Sequence, residues 1–144
     1  MDHVAWHSLP VRVYYEDTDA QGVVYFANYQ RFMERGRTEW LRDHGISQEV
    51  LHREHRLFFS LTSSSVKYRR PAVLDDQLVV RTRVDRLRGA SITFAQEVRR
   101  APDPSSEDDE GELLTNAECV AACVDADSLK ARRLPDELKA LLAE

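Results

Sequence analysis

The chain has 144 residues, with 20 Lys and Arg against 25 Asp and Glu, a formal net charge of -5 and 42% hydrophobic residues. That acidic balance argues against general nucleic-acid affinity, which needs a basic face, and no apolar run approaches the roughly 20 residues of a membrane-spanning helix. The segment MDHVAWHSLP lacks a basic stretch followed by an apolar one, so no secretory signal is expected and a cytoplasmic location is.

Taken in chain order, residues 9–16 (LPVRVYYE) alternate Val11, Val13 and Tyr15 against Arg12, Tyr14 and Glu16, which predicts a first strand. The run DTDAQG breaks it. Asn28 is the expected cap of a long helix reaching about His44, with Gly45 as its stop. Tyr29, Phe32, Met33, Gly36 and Trp40 recur at helical spacing as one stripe. A glycine there costs helix stability, so Gly36 predicts close approach to a sheet. Ser47 is the expected cap of a short helix over 48–54. Strands are predicted at 58–68, 77–87, 91–100 and 112–125, and the Pro-, Ser- and acid-rich 101–111 reads as a mobile loop. Cys119 and Cys123, four apart on the last strand, share a face but sit too far apart to bond to each other, so buried free thiols are expected. Pro135 opens a C-terminal helix over 135–143. One long early helix followed by long antiparallel strands predicts a single α+β domain over 1–144, a curved antiparallel sheet wrapped around one central helix. Its long strands leave an edge open, which favours pairing between copies.

The run YYEDTDAQGVVYFANY, residues 14–29, carries the chemistry. A carboxylate, a glycine turn and a helix start lie close in sequence. Together they supply a base or nucleophile and backbone N–H groups able to hold an oxyanion. Asp19 is the favoured carboxylate. It can attack a carbonyl directly or deprotonate a water, and its plainer role is an Asx turn. Gly22 gives the sharp turn and leaves room for a substrate. Asp17 is the rival, with turn capping or a salt bridge as its plainer role. The Asp17/Asp19 pair lacks a third hard ligand at useful spacing, so no metal site is expected. His52-Arg53-Glu54-His55 is not HExxH and reads as a solvated helix end. Tyr25 either lines a pocket or sits at an interface. Glu34 with Arg37 or Thr38 suits surface pairing.

The ordered set YYEDTDAQGVVYFANY, ERGRTEWLRDHGIS, YRRPAVLDD, LRGASITFAQEV and CVDADSLKARRLPDEL resembles the hotdog-fold acyl-CoA thioesterases. The likeness points to the 4-hydroxybenzoyl-CoA thioesterase-like branch and, within it, to the Tol–Pal-associated enzymes. The resemblance implies hydrolysis of an acyl-CoA to a free acid and CoA, without metal or redox cofactor. It assigns hydrolysis to Asp19 and the oxyanion donor to the backbone N–H of Phe26, where many relatives carry histidine. It implies a homodimer or homotetramer with active sites at subunit interfaces. Some hotdog enzymes place their carboxylate on the central helix, which holds Glu34 and Glu39 in reserve. Lys67, Arg69, Arg70 and Arg88 lie at strand ends, where they could meet CoA phosphates. Two other readings come with the Phe26 departure and the fold. One is a non-catalytic acyl-CoA or acyl-carrier-protein binding module. The other is a dehydratase, for which no histidine sits in the turn motif.

Overall fold

The computed structural model describes residues 6–102, 105 and 110–143. Most of the expected acidic loop, at 103–104 and 106–109, lies outside the described residues. The elements run β1 (His7–Arg12), a 3-10 turn (Tyr15–Asp17), α1 (Phe26–Asp43), α2 (Gln48–His55), β2 (Leu57–Tyr68), β3 (Gln77–Leu87), β4 (Ser91–Arg100), β5 (Leu113–Asp125) and α3 (Asp136–Leu142). The strands form one antiparallel sheet in the order β1-β3-β4-β5-β2. One cross-sheet row reads Leu9, Val80, Val98, Thr115, Tyr68. Val80, Val98 and Thr115 in that row are fully buried. The result is the expected α+β arrangement, with the long helix α1 laid against the sheet.

The stripe read from the sequence is the face that α1 buries: Tyr29, Phe32, Met33, Gly36 and Trp40. Trp40 meets Phe94 of β4 edge-on, with ring centroids 5.8 Å apart. Each such large side chain contributes about 1.5–3 kcal/mol through burial, so this face fixes where α1 sits and where its N-terminus points. Gly36 is where helix and sheet come closest. A Cβ there would lie 2.7 Å from Thr82 Oγ1 and 2.9 Å from Val80 Cγ1. Thr82 cannot yield cheaply, because Gln96 Nε2 bonds both to its hydroxyl at 2.8 Å and to the Met33 carbonyl at 2.9 Å. Arg37 completes this network from the helix by donating to Gln96 Oε1 at 3.0 Å, and so turns inward rather than pairing with Glu34 on the surface. Gly36→Ala is expected to lower the denaturation midpoint. Alanine gains about 1 kcal/mol in a helix, but overpacking costs about 1–3 kcal/mol or more where neighbours are pinned.

Two of the boundaries that differ from the sequence reading bear on the site. β1 ends at Arg12 rather than Glu16. Val13 pairs instead with the 75–76 backbone, donating to Asp76 O at 2.9 Å and accepting from Asp75 N at 3.1 Å, which releases the chain into the 3-10 turn. α1 starts at Phe26, and Asn28 is its third residue rather than its cap. The other end matches expectation: Gly45 adopts φ +84° and stops α1, and Ser47 Oγ accepts from Val50 N at 3.4 Å at the start of α2. Cys119 and Cys123 are buried and free. The sheet edges are β1, which tolerates Pro10 because an edge strand can forgo a ladder donor, and β2, most of which is exposed.

Candidate active site

Asp19 sits at the tip of the loop between the 3-10 turn and α1. Its backbone N–H donates to Val23 O at 2.9 Å, and Gly22 N donates back to Asp19 O at 3.0 Å. Gly22 adopts φ +80°, a conformation that side-chain-bearing residues rarely hold. A Cβ on Gly22 would meet nothing within 4 Å, so the glycine serves the turn and the space beyond it is open. One carboxylate oxygen of Asp19, Oδ1, accepts from Gln21 N at 2.8 Å and Val23 N at 3.4 Å. The Asx-turn role is therefore present. Among the described residues, Oδ2 receives no hydrogen bond, and the residue is exposed. One side chain thus holds the turn with one oxygen and presents the other.

A second segment, 72–76, carries this loop. Val24 N donates to Ala72 O at 2.9 Å, Leu74 N to Gly22 O at 3.0 Å, and Val23 bridges Val73. The segment is itself anchored twice. Tyr29 of α1 accepts from Ala72 N through its hydroxyl at 3.1 Å, and burial holds that phenol above its ordinary pKa. Arg100 at the end of β4 grips Asp76 Oδ2 at 3.1 Å and the Pro71 carbonyl at 3.1 Å, and pairs with Glu112. Sequence reasoning passed over Tyr29, Ala72 and Arg100 as site supports. The only available signal was the run YRRPAVLDD, which gives no hint of which loop it holds.

The N-terminus of α1 follows the loop directly. Tyr25 is its cap residue, with extended φ -77° and ψ 152°, and makes no side-chain cap. Asn28 N bonds to Tyr25 O at 2.9 Å. The N–H groups of Phe26 and Ala27 precede the first intrahelical bond and have no acceptor among the described residues. This is the usual state of a helix start, and it favours negative charge. The Phe26 ring is 67% exposed. It lies over Tyr68 at the end of β2, centroids 4.5 Å apart, and Tyr68 in turn meets Tyr29 at 5.5 Å. Burial raises the Tyr68 phenol above its ordinary pKa, and its hydroxyl donates to Phe26 O at 3.5 Å. Tyr68 is a further residue the sequence reading missed. Tyr25 is half-buried, and its hydroxyl accepts from Arg31 Nη1 at 3.3 Å.

Asp17 lies apart from solvent, 8% exposed. It makes no ion pair among the described residues. Its Oδ2 accepts from Tyr14 N at 2.8 Å and its Oδ1 from Asn28 Nδ2 at 2.9 Å. Farther along α1, a cavity of about 250 Å³ opens toward β2, β4 and β5. Its lining is mixed: Leu41, Phe59, Leu61, Phe94 and Ala121 are apolar, and Gln30, Arg31, Glu34, Arg37, Thr38 and Gln48 are polar or charged.

The basic residues divide. Lys67, Arg69 and Arg70 lie at the end of β2, beside Tyr68 and the α1 N-terminus. Arg69 Nε donates to Asn116 Oδ1 at 2.6 Å and Arg70 Nε pairs with Glu112 at 3.1 Å, while Lys67 is exposed. Arg88 lies in the β3–β4 turn, donating its N–H to Ser91 O at 2.9 Å. The antiparallel register puts that turn at the opposite end of the sheet. Within one chain, Arg88 is therefore separated from the other three, because the end of β2 is level with Val80 and Val98 whereas the turn lies beyond Leu87 and Ile92. Among the described residues, no group of three or more His, Cys, Asp or Glu could hold a metal ion. No described helix is long and apolar enough to cross a membrane.

The sequence profile of the Thioesterase-like superfamily matches residues 13–142. The acyl-CoA thioester hydrolase YbgC of Escherichia coli is 46% identical over 94% of this chain and 92% of its own length. The acyl-CoA thioesterase YbgC of Haemophilus influenzae is 43% identical over 92% of this chain and 91% of its own. Among solved structures, a probable thioesterase from Bartonella henselae superposes with a TM-score of 0.75 at 36% identity, covering 91% of this chain and 99% of that one. A variant of 4-hydroxybenzoyl CoA thioesterase complexed with 4-hydroxybenzoyl CoA superposes at 0.83 over 95% of this chain and 98% of its own. At 18% identity that last likeness speaks for the fold alone.

Proposed function

This chain belongs to the Thioesterase-like superfamily, its architecture is the hotdog fold, and it is an acyl-CoA thioester hydrolase, from which we propose that Asp19 and the Phe26 N–H perform the hydrolysis. In this reading the thioester carbonyl oxygen lies against the N–H of Phe26. The free Asp19 oxygen then acts in one of two ways. It attacks the carbonyl carbon, expelling CoA thiolate and leaving a mixed anhydride that water opens. Or it takes a proton from a water that attacks instead. Both routes consume one water and yield the free acid and CoA. A thioester is electrophilic and a thiolate leaves readily, so a placed carboxylate and an oxyanion donor suffice. The observation carrying this reading is the division of labour at Asp19: Oδ1 is spent on the turn and Oδ2 is open, beside a helix start with uncommitted N–H groups.

The acyl group has apolar contacts available in the cavity beside α1, at Phe59, Leu61, Phe94 and Ala121. Lys67, Arg69 and Arg70, grouped at the α1 N-terminal end, are the proposed contacts for CoA phosphates. Gly22 and Tyr25 shape the entrance. A homodimer or homotetramer with shared sites is also proposed. It is supported by the open edge of β2 and by Tyr14, Tyr15, Phe26 and Leu61, all exposed in the single chain. The cytoplasm is the proposed location. Thiol release from a panel of short, long and aromatic acyl-CoAs tests the activity. Release is expected for at least one class. Tight binding without acid release across the panel would favour the acyl-CoA or acyl-carrier-protein binding module instead.

A further inference from the structure

Asp17 is an unusual carboxylate for a surface loop. It is buried, and burying a charge is costly unless hydrogen bonds compensate. A carboxylate beside a helix start ordinarily caps the free N–H groups there. Asp17 does not: its Oδ1 accepts instead from the side chain of Asn28, which is 1% exposed. Asn28 in turn accepts from Arg31 Nη1 at 3.4 Å through its own Oδ1. The other oxygen of Asp17 fixes Tyr14 N at the entrance to the loop. The chain from Tyr14 through Asp17 to Asn28 therefore ties the first turn of α1 to the loop two residues ahead of Asp19.

We propose that Asp17 and Asn28 are a positioning pair that sets the Asp19 carboxylate against the N–H groups opening α1 while leaving those N–H groups free for the substrate. This rests on the reading of Asp19 and Phe26 above. The two reacting elements come from different local structures, a turn and a helix. Within the described residues the direct side-chain link between them is the Asp17–Asn28 hydrogen bond, whereas Tyr29 of α1 reaches the loop only through Ala72. A misplacement of about 1 Å is worth about 10²-fold in rate, which is the scale of the expected effect.

An exchange of the two side chains tests it. Assayed at alkaline pH, where the two carboxyls cannot share a proton, Asn28→Asp sets two buried carboxylates face to face and breaks the link. The double variant Asp17→Asn with Asn28→Asp rebuilds it. The new amide donates to the new carboxylate, the amide oxygen still accepts from Tyr14 N, and the second carboxylate oxygen still accepts from Arg31. Asn28→Asp is expected to lower kcat about 10²-fold with KM changed less than about three-fold, and the double variant to recover kcat to within about five-fold of the parent. If Asn28→Asp does not fold, Asn28→Ala is read in its place. A folded single variant with parental kcat, or a folded double variant as slow as the single one, overturns the proposal. Asp19→Asn is assayed alongside. Parental turnover there fails the site reading itself, whereas an inactive Asp19→Asn with an unaffected Asn28 series fails only the positioning role.

Discussion

Asp19→Asn is expected to lower acyl-CoA turnover by about 10²- to 10⁴-fold, the range for removing a positioned proton-transfer or nucleophilic group. The substitution separates the two jobs of this side chain. The turn depends on Oδ1, which accepts from Gln21 N at 2.8 Å, and an asparagine oxygen accepts the same bond. The open oxygen becomes an amide nitrogen, which neither attacks a carbonyl nor takes a proton. Because Asp19 is exposed, the change buries no new polar group, and stability should move by less than about 0.5 kcal/mol. A loss of turnover with an unchanged melting temperature therefore assigns the chemistry to the carboxylate. Asp17→Asn does not serve as a substitute control, since the Asp17 side chain holds the loop.

The second large effect is expected from Phe26→Pro, through the backbone rather than the ring. Phe26 is the first residue of α1, the helical position where proline is best tolerated because its missing N–H has no intrahelical partner. Tyr25 already holds φ -77° and ψ 152°, the extended conformation that a residue before proline requires. The fold should accept the change, while the proposed oxyanion donor disappears. Loss of one such donor costs about 10²- to 10³-fold in kcat. Phe26→Ala is the matched control. It keeps the N–H and removes the ring from Tyr68, an aromatic contact worth about 0.5–1.5 kcal/mol of stability. If proline is slow and alanine fast, the N–H matters. If both are equally slow, the ring is what the reaction needs.

The sequence made α1 legible because its buried stripe repeats at helical spacing and because Gly36 stood where only a sheet contact explains a glycine. The strands were legible for a different reason: extended stretches sit between turn signals such as Arg70-Pro71 and Arg88-Gly89-Ala90. The start of α1 was misread because Asn28 is a good cap by residue type, and only the fold shows its side chain engaged by Asp17. β1 was drawn too long because Val13 continues the alternation but bonds to Asp76 rather than along the strand. At the candidate site, the proposed Asp19, Gly22 and Phe26 stand in one run of sequence. Tyr68, Ala72 and Arg100 were not, since they reach the same place from distant strands and a loop. Arg88 looked equivalent to Arg69 and Arg70 as a basic residue beside a turn. Strand direction separates it from them within the chain.

The most direct measurement is a single-turnover assay of Asp19→Asn, with enzyme in excess over the acyl-CoA that the parent cleaves fastest and binding measured on the same sample by calorimetry. The expected result is binding within about three-fold of the parent and thioester cleavage slowed at least about 10²-fold. Cleavage at the parental rate by the bound variant would contradict the assignment of Asp19.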